Sequence, residues 1–502
     1  MFENELVGEI LKRYRRIWAL SHVSALAEWD SDVMMPKGGS SLRGEAFAEL
    51  AVLKQRFITD SSFVELVRRA SREELNDYER GVIRILERSI HYYSSLPSEF
   101  VAEEERVIEA AKRAWEEAKQ KSEFSIFRPH LERIFELQRK KAEYLGYDEH
   151  PYDALVDLYE EGATKRFLDR FFSVLVPEVS RLLKRIVSSP EFVERHELED
   201  LTYVREDMER LNRFVLTAFG APWDHFRMDV SAHPFTVDLA GPQDVRITTW
   251  YHGRDFRRSL LAAVHEWGHA LYELQQDPEL CCTPVSGGVS LGIHESQSRF
   301  WENHIGRSLA FVETFFDAFR LAIPSIGAYD IRDVYKYFNL VRPELIRVEA
   351  DEVSYILHIA LRYELEVAVI DGDISVAELP AAWNERIEKY LGVTPPDDAH
   401  GVLQDIHWAM GAVGYFPTYA LGTVLSAQIR HAMEKDIGPL DELIRGKHFG
   451  AIRDWLFRKV HRFGSVYPPR ELVRRALGED LRTDYFLSYA KEHYGSIYGV
   501  SK

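Results

Sequence analysis

The stretch Leu261-Ala-Ala-Val-His265-Glu266-Trp-Gly-His269-Ala-Leu-Tyr-Glu-Leu274 contains the pattern His-Glu-x-x-His. On a helix with 3.6 residues per turn, positions i and i+4 share a face, so His265 and His269 can bind one metal ion. Glu266 would then lie beside a bound water. Apolar residues on the other faces predict that the helix is buried and amphipathic. The alternative is that the two histidines only pack, since a chain of this length can contain the pattern by chance.

Composition sets the broad class of the protein. The chain has 502 residues, of which 46% are hydrophobic and 29% are charged, as in a globular protein. No apolar run approaches the roughly 20 residues that span a bilayer, and the first residues do not resemble an export signal. The net charge of −18 disfavours nucleic acid and anionic membrane as partners, and any anionic substrate group would need local arginines.

The two cysteines, Cys281 and Cys282, are adjacent, which rarely gives an ordinary disulfide. We therefore expect a cytoplasmic protein.

Hydrophobic periodicity predicts a mainly α fold. Between Phe226 and Tyr251 the pattern alternates in three short runs, which predicts a small antiparallel β-sheet beside the helix of His265. Pro177 is expected to kink or divide its helix. No linker or repeat marks a domain boundary. We expect a single domain over residues 1–502, composed of a helical part (1–225), a part with the metal site, the sheet and the substrate-recognition motifs (226–425), and C-terminal helices (426–502).

A catalytic zinc site usually has three protein ligands and one open position. Glu295 is the predicted third ligand, because it begins a second amphipathic helix whose polar face also carries Ser298 and Glu302. His294 is the rival ligand. Glu302 is interpreted either as a residue that orients a ligand or as an ordinary salt-bridge partner. The sequence thus predicts one divalent metal ion per chain, Zn²⁺ in preference to Co²⁺, held by His265, His269 and Glu295.

This ligand set predicts hydrolysis of an amide bond. Glu266 would take a proton from the metal-activated water and return it to the leaving amine. The oxyanion that forms needs further hydrogen-bond donors. His407, Tyr415 and Tyr419 are candidates, because their segment lacks a clear helical period. We assign His407 and Tyr419 to catalysis and Tyr415 to substrate binding; the alternative for each is a structural role, since buried tyrosines usually have a hydrogen-bond partner.

Six short motifs follow one another between residues 233 and 408. In order, they are His233-Pro234-Phe235, Asp244-Val-Arg246-Ile-Thr248, His265 to His269, His294-Glu295-Ser296-Gln297, Ile346-Arg347-Val-Glu-Ala350-Asp351, and Gly401 to Trp408 with the pattern G-x-x-Q-D-x-H-W. With these motifs the chain resembles the carboxypeptidase Taq family of metallocarboxypeptidases. Trp29-Asp30 and Met35-Pro36-Lys-Gly-Gly39 also resemble that family, so the similarity covers nearly the whole chain.

The resemblance implies a large helical body with a deep central groove and a metal at its base. It also implies a homodimer that removes single amino acids from peptide C-termini with broad side-chain tolerance. Arginine binds a terminal carboxylate with two parallel charge-assisted hydrogen bonds. Arg347 is the first candidate for this contact and Arg246 the second, and His233 is a further candidate for substrate contact. The alternative for each arginine is burial against a neighbouring aspartate, Asp351 and Asp244 respectively.

Two other functions remain open on the residues alone. An oligopeptidase that cuts internally would use the same metal chemistry and would differ only at the closed end of the groove. A metal-binding protein without turnover is the alternative from another class. Glu266 argues against the second alternative, because a pure binding site needs no base beside the water.

Overall fold

The computed structural model describes residues 1–500, which are mainly helical as predicted. The strands are β1 (Phe226–Val230), β2 (Thr236–Asp238) and β3 (Val245–Thr249). A π-helix spans Phe300–Gly306. The α-helices are α1 (Glu5–Val33), α2 (Ser40–Ile58), α3 (Ser61–Ala70), α4 (Asp77–Ser95), α5 (Ser98–Lys121), α6 (Phe124–Leu145), α7 (Pro151–Val156), α8 (Lys165–Val187), α9 (Arg205–Phe219), α10 (Phe256–Leu274), α11 (Leu291–Arg299), α12 (Leu309–Ala322), α13 (Ile331–Phe338), α14 (Glu352–Asp371), α15 (Leu379–Leu391), α16 (Pro417–Ile437), α17 (Leu440–Arg445), α18 (Phe449–Lys459), α19 (Pro469–Leu477) and α20 (Asp484–Tyr498).

The chain divides into two compact units, each built from three chain segments. Unit 1 contains an aromatic cluster in which the ring centroid of Phe219 lies 4.8 Å from those of Trp301 and Phe449. In unit 2 the rings of Phe172 and Tyr363 stack at 5.1 Å. Unit 1 comprises Met1–Ser94, Arg195–Phe338 and Gln428–Leu481, and unit 2 comprises Ser95–Glu194, Asn339–Ala427 and the described residues from Arg482 onward.

The contact between α10 and α11 depends on one glycine. A Cβ on Gly268 would lie 2.5 Å from both the carbonyl oxygen of Gln297 and the Cα of Ser298, far inside normal contact distance. Only glycine therefore lets the two helices approach this closely. Helix α11 begins at Leu291, where the side chain of Ser290 accepts a hydrogen bond from the backbone N–H of Ile293. The side chains of α11 are in this way brought against those of α10.

The predicted antiparallel sheet is present as a mixed sheet with the strand order β1-β3-β2. Strands β2 and β3 pair antiparallel, but β1 and β3 pair parallel, so the prediction was wrong for that pair. The chain reverses once between β1 and β2 and again at Gly241, whose φ is +56°. Two reversals give β1 and β3 the same direction, and β3 lies between its two neighbours.

Two further sequence predictions concern helices. Pro177 does not divide α8, which continues through it from Lys165 to Val187. The side chains of Leu175 and Val179 on either side of this proline are buried, so packing stabilises the helix on both sides of the lost hydrogen bond. No helix among residues 1–500 combines the length and apolar character that crossing a membrane requires.

Candidate active site

Three potential metal ligands meet where α10 contacts α11. The Nε2 atoms of His265 and His269 lie 3.6 Å and 3.4 Å from Oε2 of Glu295. One ligand atom from each residue lies within 4.8 Å of the other two. Tetrahedral zinc with bonds of about 2.0–2.1 Å places neighbouring ligand atoms roughly 3.3 Å apart. The donor set and its spacing therefore fit a divalent metal ion.

Hydrogen bonds fix the orientation of the Glu295 carboxylate. Nε of Arg299 donates to Oε1 of Glu295 at 2.6 Å, and Oγ of Ser298 donates to Oε2 at 2.9 Å. Burial alone would raise the pKa of Glu295, but the charges of Arg299 and His265 outweigh it and hold the pKa well below its usual value. The carboxylate stays ionised, with Oε2 directed toward the two histidines.

Glu302 orients His265. Nδ1 of His265 lies 2.9 Å from Oε2 of Glu302. Arg299 and Arg307 also donate to Glu302, at 3.2 Å and 2.7 Å. Glu302 therefore combines both roles considered for it. Its carboxylate accepts from His265, a potential metal ligand, and it forms ion pairs with Arg299 and Arg307. Such a contact fixes which imidazole nitrogen is available to the metal.

His294 orients His269 in a different way. The Nδ1 atoms of His269 and His294 are 2.7 Å apart, and Nε2 of His294 lies 2.7 Å from Oε1 of Glu273. Both ring nitrogens of His294 are thus engaged, and His294 is not in the ligand cluster. The backbone N–H of Gly288 also donates to Oε1 of Glu273, at 3.0 Å. A chain of hydrogen bonds therefore leads from the buried carboxylate of Glu273 through His294 to His269.

Glu266 is held by a residue of the sheet. Oγ of Thr236 in β2 lies 2.7 Å from Oε2 of Glu266 and donates to it. Burial raises the pKa of Glu266, and the neighbouring His265 and Thr236 partly offset that rise. Thr236 was not among the residues predicted from the sequence. The available signal was its position directly after His233-Pro234-Phe235, in a short strand beside the helix of His265.

His233 and Arg246 also lie in unit 1. His233 is exposed. Arg246 donates to both carboxylate oxygens of Asp244, at 2.9 Å and 2.8 Å, and its guanidinium lies 4.6 Å from the ring centroid of Trp29. Arg246 thus adopts the aspartate pairing that sequence analysis considered as the alternative to substrate contact.

Unit 2 contains the other predicted arginine in a buried charged cluster. Arg347 contacts Oδ1 of Asp405 through Nε and Nη2, both at 2.9 Å, and its Nη1 donates to the hydroxyl of Tyr355. The alternative to substrate contact was burial of Arg347 against Asp351, but the aspartate that pairs with Arg347 in the structure is Asp405. Asp351 instead accepts from the backbone N–H groups at the start of α14, a position where a carboxylate is stabilised by the helix end. Oδ2 of Asp405 accepts from Arg362.

His407, Tyr415 and Tyr419 lie together in unit 2. Nε2 of His407 is 3.2 Å from the hydroxyl of Tyr419, and the rings of His407 and Tyr415 meet edge to face at 5.1 Å. Burial lowers the pKa of His407 to about 4, although Asp405 acts in the opposite direction. His407 is therefore neutral near pH 7 and can act as either hydrogen-bond donor or acceptor.

Two imidazoles and one carboxylate at metal-binding spacing, with a second carboxylate next to the first histidine, define a metal-dependent hydrolase. The family model of the carboxypeptidase Taq (M32) metallopeptidases matches residues 9–494. The chain belongs to this family and is a metal-dependent carboxypeptidase. The resemblance predicted from the six motifs is thus confirmed, and membership implies a divalent metal.

Similar proteins match along their whole length. The chain is 49% identical to Thermostable carboxypeptidase 1 of Pyrococcus furiosus, over 98% of this chain and 99% of that protein. It is 36% identical to Carboxypeptidase 1 of Bacillus subtilis, over 98% of each. The solved structure of Pyrococcus furiosus carboxypeptidase described as Apo-Mg superposes with a TM-score of 0.97 at 49% identity, covering 98% of this chain and 99% of that one. The M32 carboxypeptidase of Deinococcus radiodurans R1 gives a TM-score of 0.95 at 32% identity, covering 99% and 100%.

Proposed function

We propose that this carboxypeptidase releases single amino acids from peptide C-termini with broad side-chain tolerance. In this proposal His265, His269 and Glu295 hold one Zn²⁺ ion, and Glu266 is the general base. The observation that carries the proposal is the 3.4 Å and 3.6 Å spacing of the two Nε2 atoms from Oε2 of Glu295, which is close to the ligand spacing of a tetrahedral zinc site. Zn²⁺ is preferred to Co²⁺ because His₂Glu sets are common for catalytic zinc.

In this proposal the metal ion, Glu266 and Thr236 have different roles in hydrolysis. When bound, the ion supplies Lewis-acid chemistry that activates water and polarises the scissile carbonyl. Glu266 takes the proton of the attacking water and delivers it to the leaving amine. Its raised pKa, caused first by burial, makes it a stronger base than an exposed glutamate. Thr236 keeps one oxygen of Glu266 in a fixed direction.

Substrate contacts are proposed for residues outside the metal cluster. Arg347 is the first candidate to bind the terminal carboxylate. Asp405 pairs with two guanidinium groups, those of Arg347 and Arg362. The three side chains together therefore carry a net positive charge, which supports binding of an anionic carboxylate by Arg347. Arg246 remains the second candidate and His233 a further contact. His407 and Tyr419 would donate to the developing oxyanion, and Tyr415 would contact substrate.

Three broader features complete the proposal. The chain acts as one functional domain, as a homodimer, and in the cytoplasm. The homodimer rests on resemblance to the family, and the single domain rests on the six motifs being spread over much of the chain. The net charge of −18 disfavours nucleic acid and anionic membrane, which leaves peptides as the partners.

Timed product analysis on one peptide tests the reaction. With a blocked N-terminus and a free C-terminus, we expect free amino acids to appear one by one from the C-terminal end. The same peptide with an amidated C-terminus should be cleaved far more slowly. Internal fragments from both peptides would instead support the oligopeptidase alternative. Metal analysis of the same preparation should give one zinc per chain and would identify cobalt if that ion is bound.

A Glu266→Gln variant provides the matched control. Glutamine keeps the size of glutamate but cannot take the proton, so we expect kcat to fall at least about 100-fold. The metal content should stay at the wild-type value, because Glu266 is not a ligand. Full activity of this variant would contradict the assigned base while leaving the carboxypeptidase reaction itself intact.

A further inference from the structure

The only two cysteines of the chain, Cys281 and Cys282, are adjacent in the loop between α10 and α11. Both are free and partly exposed, and their Sγ atoms are 3.4 Å apart. Neighbouring residues of an extended chain direct their side chains to opposite faces. Two adjacent thiols therefore meet only where the backbone turns sharply between them.

A type II turn brings the two thiols together. The backbone N–H of Thr283 donates to the carbonyl of Leu280 at 3.1 Å. Cys281 has φ −53° and ψ 137°, and Cys282 has φ +63°, so they are the second and third residues of the turn. The third position requires positive φ and is normally glycine or asparagine. A cysteine in this conformation is strained.

The geometry favours a bridging atom over a disulfide bond. Adjacent Cα atoms are about 3.8 Å apart, which is shorter than the roughly 4.4–6.8 Å of ordinary disulfides. An atom with bonds to sulfur of about 2.3 Å would span two sulfurs 3.4 Å apart at an angle of about 95°. This angle is smaller than the tetrahedral angle of zinc. It matches a pyramidal centre, such as trivalent arsenic, whose bond angles are close to a right angle.

The protonation of the Cys281 thiol points to the same class of ligand. Burial, together with the neighbouring thiol of Cys282, raises the pKa of Cys281 to about 11. Divalent cations bind thiolates and must displace these protons into solvent. A trivalent arsenic hydroxide condenses with neutral thiols, because the thiol protons leave with the hydroxyl groups as water.

We propose that Cys281 and Cys282 form a dithiol site that binds one trivalent, thiophilic centre of the arsenical type, separate from the catalytic metal. With phenylarsine oxide in its hydrated form, two As–S bonds form while two As–O and two S–H bonds break. Two water molecules leave, and arsenic stays trivalent throughout. The carbonyl of Ala240 lies 3.8 Å from Sγ of Cys281, so the turn between β2 and β3 borders the site.

Arsenic retention by the metal-loaded, full-length enzyme tests this site. The enzyme is incubated with phenylarsine oxide, passed through gel filtration in excess 2-mercaptoethanol, and analysed for arsenic and zinc. We expect one arsenic per chain, unchanged zinc, and release of the arsenic by 2,3-dimercaptopropanol, because only a dithiol competes with two sulfur bonds. In the same wild-type sample, both thiols should become unreactive toward a thiol reagent and recover after release.

Single-serine variants test whether both sulfurs take part. Cys281→Ser and Cys282→Ser should each lose the retained arsenic, whereas Ser286→Ala, in the same loop, should keep it. Wild-type zinc content and peptidase activity show that each variant is folded. The proposal is overturned if wild type retains no arsenic in 2-mercaptoethanol, or if either serine variant retains as much as wild type. Protection of only one of the two wild-type thiols would also overturn it.

Discussion

The Nδ1 atoms of His269 and His294 lie 2.7 Å apart, and this contact places a second histidine directly behind a metal-ligand candidate. With its Nε2 bound to the proposed metal ion, His269 would carry its ring proton on Nδ1 and donate it to Nδ1 of His294. The other nitrogen of His294 then donates to Glu273. His265 lacks such an intermediate and contacts the carboxylate of Glu302 directly. The two histidines of the proposed metal site are therefore oriented by different partners.

Replacing His294 should weaken metal binding. In His294→Ala, His269 loses the acceptor that fixes its tautomer, and we expect metal affinity to fall roughly 10- to 100-fold. Competition with a chromophoric chelator measures the dissociation constant. His294→Gln offers an amide acceptor of similar reach and should recover part of the affinity. Equal affinities in wild type and His294→Ala would show that His269 needs no such partner.

Thr236 should control the position of Glu266, the proposed general base. Thr236→Val has nearly the same shape but cannot donate to Glu266, and a lost hydrogen bond of about 1–1.5 kcal/mol predicts a kcat lowered about 10-fold. Thr236→Ser keeps the hydroxyl and should restore most of the rate. Metal content should be the same in all three proteins. A kcat in the valine variant equal to that of wild type would remove Thr236 from the mechanism.

Arg347 should determine the affinity for a free C-terminal carboxylate. Hydrogen bonds to charged groups are worth about 1.5–3 kcal/mol, so Arg347→Met should raise KM about 10- to 100-fold for peptides with a free C-terminus. Arg246→Met is the matched variant. If KM rises in Arg246→Met and stays constant in Arg347→Met, the carboxylate contact belongs to Arg246. Asp405 keeps Arg362 as a partner in the first variant.

Glu366 should make folding stability depend on pH. Burial raises its pKa to about 7, against the hydrogen bonds from Tyr152, Gly414 and Trp408. The unfolded chain loses this proton near pH 4.5, so between about pH 4.5 and 7 the folded protein retains a proton that the unfolded chain has lost. The stabilising contribution is complete below that window and is lost as the pH rises through it, by roughly 3 kcal/mol in total.

Urea unfolding of wild type and Glu366→Gln at pH 5 and pH 8 measures this contribution. Glutamine cannot ionise, so we expect the variant to gain stability relative to wild type at pH 8 more than at pH 5. The comparison at each pH removes the effects of metal and of other titrating groups that both proteins share. A difference between the two proteins that does not change with pH would contradict the raised pKa.

Gly268 should be indispensable for the contact between α10 and α11. A Cβ in Gly268→Ala would meet the backbone of Gln297 and Ser298 at 2.5 Å, and overpacking of this kind costs about 1–3 kcal/mol. The added methyl group would push α11 away from α10. Because Glu295 lies on α11, metal affinity should fall as well. Gly8→Ala is the matched control, since a Cβ there meets no atom within 4 Å and should stabilise helix α1. Thermal unfolding with and without chelator separates the two effects.

Local periodicity was sufficient to predict the helical fold and the grouping of His265, His269 and Glu295. His265, His269 and Glu266 depend only on helix geometry, and Glu295 depends on the polar face of the next helix. The parallel pairing of β1 with β3 could not be predicted, because it is set by packing after two chain reversals. For the same reason the partner of Arg347 was missed: Asp351 is close in sequence, but its carboxylate is engaged at the start of α14, and Asp405 becomes the neighbour only in the folded chain.

The π-helix at Phe300–Gly306 has a consequence for how sequences in this family can diverge. The backbone N–H of Arg307 donates to the carbonyl of Glu302 five residues earlier, and their side chains also pair at 2.7 Å. On an α-helix, residues five apart point about 140° away from each other, so the wider turn is what lets this pair form. Losing one residue here would restore an ordinary helix and rotate Arg307 away from Glu302. We therefore expect relatives to vary in this segment by substitution and to keep its length constant.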